Sequence, residues 1–441
     1  MAHSIKVASW NVGALQTNPL EFWQPTNSKH RQVQENLDQA LQGLGRTIQI
    51  SDIVSAQMIQ DILALDDFGP NMEVIGDVFE SIKTISVHAY LTDKNIGRKR
   101  FVSMADRLLR DRPSLISSKR APPGISTWWP DYLNYLQETK PIVNGILKSH
   151  NSPKYGDQGF SKFDKEYYRE LQLLHLAIAD ACHVFLAGTV PLVGNMIAEL
   201  GDQFGTKFTA IKEILTNHSP DVICLQEVDF FAFQPLLGFD FYRPPASNGK
   251  QDSLILLRQG IFDNVSEVHL GSSVVGPGDL VLLTCRQIRS SKSTLIASYH
   301  GETNGTTTLP LLEAIHSLSS AYESVIVGSD TNAHYESGGS KLEFAELERF
   351  TSKMHWKLSN NANPTTRSCR TFFQAQAHKG HHMSEIHFDS DPKDNIIVGG
   401  GARIESSGIF FGPDCEAPIP NERFPSDHAL AWAVVAESEP E

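Results

Sequence analysis

Four places in the 441-residue chain set acidic, amide or imidazole side chains at the ends of apolar runs, where a strand would hold them and a loop would open them to a ligand. Gln226 and Glu227 end the run Val222-Ile223-Cys224-Leu225, and Asp330 and Asn332 follow Val325-Ile326-Val327. Asp394 precedes Asn395-Ile396-Ile397-Val398, and Asp427-His428 stands between Pro425-Ser426 and Ala429-Leu430-Ala431-Trp432. Such a set suits hydrolysis of a phosphate ester. That reaction needs a metal held by a few carboxylates, an activated water, donors for the phosphoryl oxygens and a group that stabilises the leaving oxygen. A hard cation such as Mg²⁺ takes oxygen ligands and keeps several waters, so one or two carboxylates suffice. Taken singly, each group has a plainer reading: a solvated strand end for Glu227, a turn for the D-x-N of Asp330 and Asn332, a strand cap for Asp394. In the chemical reading Asp394 accepts a ring N–H of His428 and fixes its tautomer.

The elements that would position these groups are legible in the same stretches. The opening run 5–12 alternates and is β-branched, which predicts a strand ending near Gly13. Run 221–228 is a short apolar run after Ser219-Pro220, consistent with a buried strand that delivers Gln226 and Glu227 at its end, and 208–218 before it has the spacing of an amphipathic helix. Further strands are expected at 253–257, 280–286, 293–300, 324–328, 395–398 and 429–435, with helices at 309–322 and 341–354. Strands punctuated by single helices predict an α/β sandwich of stacked sheets. Residues 19–205 differ in kind, being mostly helical in pattern with a break at Arg120-Ala121-Pro122-Pro123-Gly124, and read as an insertion. Residues 437–441 read as an acidic, disordered tail.

Composition narrows the classes. A hydrophobic share of 40% and a charged share of 20% are those of a folded globular protein. The net charge of -13 excludes a broad positive field, so any contact with a polyanion must be local. Five scattered cysteines without C-x-x-C spacing indicate neither a disulfide framework nor a zinc knuckle, and reduced thiols in an intracellular protein, cytoplasmic or nuclear, are expected. No signal peptide is read at the N-terminus. The most apolar stretch, 173–200, carries Asp180, His183 and Pro191, which predicts buried helix and no membrane span.

The order of motifs resembles one family. Trp10-Asn11, Leu225-Gln226-Glu227-Val228, Ser298-Tyr299-His300, Ser329-Asp330-Thr331-Asn332, Asp394-Asn395-Ile396 and Ser426-Asp427-His428 stand in the order of the motif series of the endonuclease/exonuclease/phosphatase superfamily, which includes the pancreatic-type DNases. The resemblance implies a four-layered α/β sandwich with two face-to-face mixed β-sheets flanked by helices, here a single catalytic domain over 1–441 carrying the mainly helical insertion at about 19–205. It implies Mg²⁺, with Mn²⁺ as the substitute, held by Glu227 with Asn11 and Asp427. It further implies that Asp330 orients or deprotonates the attacking water, that Asn332 and His428 stabilise phosphoryl oxygens, and that Asp394 orients His428. His300 would bind phosphate or assist the leaving oxygen. Two features depart from the family pattern: Ser329 replaces the usual glycine, and the gap between the first two motifs is far longer than usual. Neither removes a chemical group, but the long gap bears on what can enter the site.

Three further features concern the substrate. Lys94, Arg98, Lys99, Arg100, Arg107, Arg110, Arg112, Lys119 and Arg120 make residues 94–120 basic, which suits either a local nucleic-acid track or a solvated face packed on acidic surface. Trp128, Trp129, Tyr132 and Tyr135 suit core packing, with base stacking as the alternative. Arg367 and Arg370 are candidates for bidentate phosphate contacts, and His378, Lys379, His381, His382 and His387 in the loop before Asp394 would meet phosphate at the mouth of the site, with a second metal as the alternative. The expectation is a metal-dependent phosphodiesterase cleaving DNA or RNA. The alternatives are a phosphatase or phosphodiesterase of a small molecule or lipid head group, such as an inositol phosphate or sphingomyelin, and a degenerate binding module.

Overall fold

The computed structural model describes residues 4–13, 28–65, 72–92, 113, 124–138, 168–229, 233, 236–245, 251–270, 274–336, 339–369, 388–413, 416–417, 419–421 and 423–437. The chain forms two compact units, one of residues 1–15, 206–369 and 388–441, the other of 16–205 and 370–387.

The first unit is built on two mixed six-stranded sheets. Sheet one contains β1 (Ser4–Asn11), β2 (Val222–Val228), β3 (Phe239–Tyr242), β4 (Asp252–Arg258), β13 (Ala402–Phe410) and β14 (Leu430–Glu437), in the order β13-β14-β1-β2-β4-β3. Sheet two contains β5 (Phe262–Glu267), β6 (Leu280–Gln287), β7 (Ser293–His300), β8 (Ser324–Asp330), β9 (Lys357–Leu358) and β12 (Asp394–Gly400), in the order β5-β6-β7-β8-β12-β9. A short ribbon pairs β10 (Ser368–Cys369) with β11 (Phe388–Asp389).

The layers follow from the period-2 alternation of the strands. Val222 and Cys224 of β2 and Ile5 and Val7 of β1 pack with Ile296, Ile326, Ile396 and Val398 of sheet two in one core between the sheets. Their neighbours Ile223, Leu225, Ala8 and Trp10 face the other way and pack on Ile211 and Leu215, within the helix Val193–His218. Leu295, Ala297, Val325 and Val327 likewise face Leu311, Leu312 and Ile315 of the helix Thr308–Ser319 and Leu347 of the helix Phe344–Lys353. The result is helix, sheet, sheet, helix: the expected four-layered sandwich. The sheets approach closely at Gly328, where a Cβ would lie 2.4 Å from Cys224 Cβ. Strands β3, β5 and β13 escape the sequence reading because they are short, edge-like or largely exposed, and so lack the apolar alternation that announces a strand.

In the second unit the helices Ser28–Gln42, Ala56–Leu63, Met72–Ile82, Ile125–Glu138 and Tyr168–Gly188 share a core that includes Leu37, Ile62, Phe79, Tyr132 and Ile178. Trp128, Trp129 and Tyr132 are buried in it, with Trp128 and Tyr132 ring centroids 4.6 Å apart, so these rings serve the core. The apolar stretch 173–200 is split between the helices Tyr168–Gly188 and Val193–His218, with Pro191 in the break. No described helix is long and apolar enough to cross a membrane. Cys182, Cys224 and Cys285 are free and buried.

Candidate active site

Strand register assembles the site. His300 is paired with Asp330 across parallel β7 and β8, and Asp394 with Asp330 across antiparallel β12 and β8. All three stand at strand ends in phase with Ile296, Ile326 and Ile396, so they project into the gap between the sheets. From the opposite sheet, β1 brings Asn11 to the same level. Its amide nitrogen donates to Asp330 Oδ2 at 2.9 Å and approaches Glu227 Oε1 at 3.4 Å, while its Oδ1 accepts the Gly13 N–H at 2.8 Å. Asn11 therefore presents donors to the two carboxylates.

Glu227 breaks the alternation. Val222, Cys224 and Gln226 face the inter-sheet gap, so an undistorted β2 would turn Glu227 toward the helix. The pairing of β2 with β4 is instead irregular between Leu225 and Val228, and Glu227 adopts φ 52°, a left-handed conformation uncommon outside glycine and asparagine. Its carboxylate thereby reaches His300 Nε2 at 3.3 Å and accepts from Gln251 Nε2 at 3.0 Å. Asn332 is also left-handed, at φ 48°. Its backbone N–H donates to Asp330 Oδ1 at 2.9 Å, and its amide donates to the Gly301 carbonyl at 2.7 Å. Strained backbone at two candidate residues is the kind of conformation that surrounding structure must enforce.

The loop before β14 supplies the other imidazole. His428 Nδ1 lies 2.9 Å from Asp394 Oδ2 and 3.8 Å from Asp330 Oδ2. Trp10 Nε1 donates to the His428 carbonyl at 2.7 Å, and Ser426 Oγ donates to the Asn11 carbonyl at 2.6 Å while accepting the His428 N–H. Thr365 Oγ1 accepts the Asp394 N–H at 2.9 Å. Ser329, where the family has glycine, is fully buried and its hydroxyl meets the Asn395 carbonyl at 3.3 Å, so the side chain is accommodated behind the site.

The electrostatics are those of two imidazoles among carboxylates. Burial works to neutralise His300, but Asp279, Glu227 and Asp330 outweigh it and push its pKa up to about 10. Burial likewise opposes charge on His428, and Asp394, Asp330 and Asp427 raise it to about 10. Asp330 is held below its ordinary value because the charges of His428, His300 and Lys393 and the Asn11 hydrogen bond overcome burial. Burial, reinforced by Asp330, keeps Asp394 above the usual carboxylate range.

The donor set fits a hard divalent cation. The oxygens of Glu227 and Asp330 meet at one amide, Asn11 Nδ2 lying 3.4 Å from Glu227 Oε1 and 2.9 Å from Asp330 Oδ2, and Asp394 Oδ1 is buried with no hydrogen-bond donor among the described residues. Carboxylate oxygens thus converge in a space that the structure balances with imidazolium charge.

Of the residues singled out in the sequence, Asn11, Glu227, His300, Asp330, Asn332, Asp394 and His428 come together. Asp427 is half-buried beside His428, on which its charge acts. Arg367 stands next to Thr366, which bridges His428, and its guanidinium carbon lies 5.0 Å from the Phe411 ring centroid. Arg370, the histidine-rich loop and the basic stretch 94–120, Pro113 apart, lie outside the described residues.

Three participants escaped the sequence reading. Asp279 Oδ1 lies 3.7 Å from His300 Nδ1, and the Asp279 backbone carbonyl accepts the His300 backbone N–H, a meeting that depends on β6–β7 pairing. Gln251 is found only by the fold. Lys207 is 3% exposed, and its ammonium donates to the Gly13 carbonyl at 3.2 Å. Burial lowers it to about 8 against the pull of Asp427 and Glu227. Its signal was present in the sequence: Lys207 shares the four-residue spacing of the apolar Ile211 and Leu215.

A sequence model of the Endonuclease/Exonuclease/phosphatase family matches residues 201–428. No curated protein sequence matches the chain. Among solved structures, the human Nocturnin catalytic domain with bound sulfate is 19% identical, covering 52% of this chain and 86% of that one, with a TM-score of 0.36. A mannosyl-6-phosphatase of Bacteroides thetaiotaomicron is 18% identical over 54% of this chain and 93% of that one, with a TM-score of 0.38. TDP2 of D. rerio, complexed with a single strand DNA product, is 14% identical over 54% and 92%, with a TM-score of 0.36. The family match runs over more than half of the chain, from the helix ahead of β2 to His428 in the site itself, and the chain accordingly belongs to the endonuclease/exonuclease/phosphatase family.

Proposed function

We propose that the protein is a divalent-metal-dependent phosphodiesterase that cleaves DNA or RNA by attack of an activated water. Its family is hydrolytic, acts on phosphate esters and is typically dependent on a divalent metal. The observation that carries the reading is Asp330 standing between two raised-pKa imidazoles, 3.8 Å from His300 Nε2 and 3.8 Å from His428 Nδ1. A diester presents two sets of oxygens that gain charge, the non-bridging pair and the departing ester oxygen, and two cationic rings flanking one carboxylate match that demand.

In this reading Glu227 and Asp427, with the Asn11 side-chain oxygen, would hold Mg²⁺ or Mn²⁺, while the Asn11 amide nitrogen keeps Glu227 and Asp330 in place. The cation supplies Lewis-acid stabilisation of the phosphoryl oxygens. Asp330 receives the proton of the attacking water. Asp394 fixes His428 through Nδ1, leaving Nε2 to donate to a phosphoryl oxygen together with the second amide hydrogen of Asn332. His300, held by Glu227 and Asp279, donates to the leaving oxygen. Arg367 and Arg370 contact flanking phosphates.

The test is hydrolysis of single-stranded DNA, duplex DNA, RNA, inositol phosphates and sphingomyelin, with Mg²⁺ or Mn²⁺ and with EDTA, by wild type and by Glu227→Gln, Asp330→Asn and His428→Ala. Cleavage of a nucleic acid that EDTA abolishes, and that each variant loses by about three orders of magnitude or more, is expected. Near-normal turnover in any variant sinks the role given to that residue. Cleavage confined to a small ester replaces the nuclease reading by the phosphatase one.

A further inference from the structure

Lys207 is a cation on a helix stripe that is otherwise apolar. Ile211 and Leu215, one and two turns further on, pack the helix Val193–His218 against sheet one, and Lys207 is buried in line with them. A leucine or methionine would suit that stripe, and burying an ammonium is unfavourable unless opposite charge and hydrogen-bond acceptors compensate it. The compensation comes from the site. Its Nζ donates to the carbonyl of Gly13, the Gly13 N–H donates to Asn11 Oδ1, and Asn11 Nδ2 lies 3.4 Å from Glu227 Oε1, so the ammonium is joined to the site through two residues; the charges of Asp427 and Glu227 favour it in turn.

We propose that Lys207 is an internal counter-cation of the metal-holding carboxylates beside the two imidazoles: it offsets the charge of Glu227 and Asp427 before a divalent ion arrives, loosens the hold on that ion afterwards, and pins the turn that follows Asn11 at the end of β1. The inference deepens the metal-dependent reading and rests on it. Lys207 is a positioning residue, because it acts through Glu227, Asp427 and the Gly13 carbonyl. Two consequences follow, and they have opposite signs. Removing the charge leaves the carboxylates to repel one another in the metal-free protein, which lowers its stability. The same removal deletes a like charge next to the divalent ion, which tightens ion binding. A residue that merely braced the fold would lower both.

The experiment is calorimetric titration of metal-free wild type, Lys207→Gln, Lys207→Met and Lys207→Arg with Mn²⁺, alongside the melting temperature of each metal-free protein. The two neutral variants differ in bulk and polarity, so a folding defect in one leaves the other informative. Either neutral variant is expected to bind Mn²⁺ at least about tenfold tighter than wild type while melting lower without metal, and Lys207→Arg to stay within about twofold of wild type. Unchanged or weaker Mn²⁺ binding in the neutral variants, with wild type binding normally, overturns the counter-cation role and leaves the metal-dependent reading standing. Wild type that takes up no Mn²⁺ overturns both.

Discussion

Asp330 is the hinge of the local charge balance, and its neighbours' protonation gives a measurable pH signature. The carboxylates raise His300 and His428 from an ordinary 6.5 to about 10 in the folded, metal-free protein. A folded pKa raised above the unfolded one contributes stability that is complete below the unfolded value and is lost as pH rises through the folded one. In EDTA, the urea midpoint is therefore expected to hold near pH 6 and to fall as pH climbs through about 10. His428→Gln should show a smaller fall over that window, because one of the two imidazoles is gone. A midpoint equally steep in the variant would remove His428 from the account. These pairings were only partly visible in the sequence. The D-x-N, the D-x-I and the S-D-H motifs named the groups, whereas Asp279 and Gln251 carry no motif and join His300 and Glu227 through strand pairing alone.

Elements bring these groups to one place by register and by close contact of the sheets. Gln226 illustrates the contact, since its amide lies 3.1 Å from Ser298 Oγ and 3.4 Å from the Gly328 carbonyl, both in the opposite sheet. Gly328 is the position where this packing admits no side chain. A Cβ would meet Cys224 Cβ at 2.4 Å, Cys224 Sγ at 2.7 Å and Ser9 Oγ at 3.1 Å. Gly328→Ala is predicted to destabilise by about 1–3 kcal/mol, as overpacked cores do, and to reduce turnover as well, because the displaced strand carries Asp330 two residues on. Chemical denaturation together with kinetics checks both parts, and a variant as stable as wild type would show that the sheets can separate freely. Strands with clean apolar alternation were readable in advance. The conformation of Glu227 was not, because a left-handed glutamate at a bulge is imposed by the structure around it and has no local propensity behind it.

For the molecule as a whole, the charge of -13 sets the terms on which a polyanion can approach. A repulsive average field requires local cations, and residues 94–120 hold the densest group of them in the sequence. If that stretch contacts the substrate, replacing Arg98, Lys99 and Arg100 by alanine should raise KM for a polynucleotide about tenfold and flatten its salt dependence, with hydrolysis of a small diester unchanged. Equal effects on both substrates would return the stretch to ordinary surface. The chain order of six polar motifs, the apolar runs before them and the helical pattern of 19–205 are properties of the sequence, since periodicity and residue type are local, and they were enough to anticipate the sandwich and to name most of the residues that meet in the candidate site. The facing of His300, Asp330 and Asp394 across three strands, the inward turn of Glu227 and the burial of Lys207 against the Gly13 carbonyl belong to the folded state. Each depends on which distant segments share a register or lose their water together, and desolvation and pairing energies exist only once those segments meet.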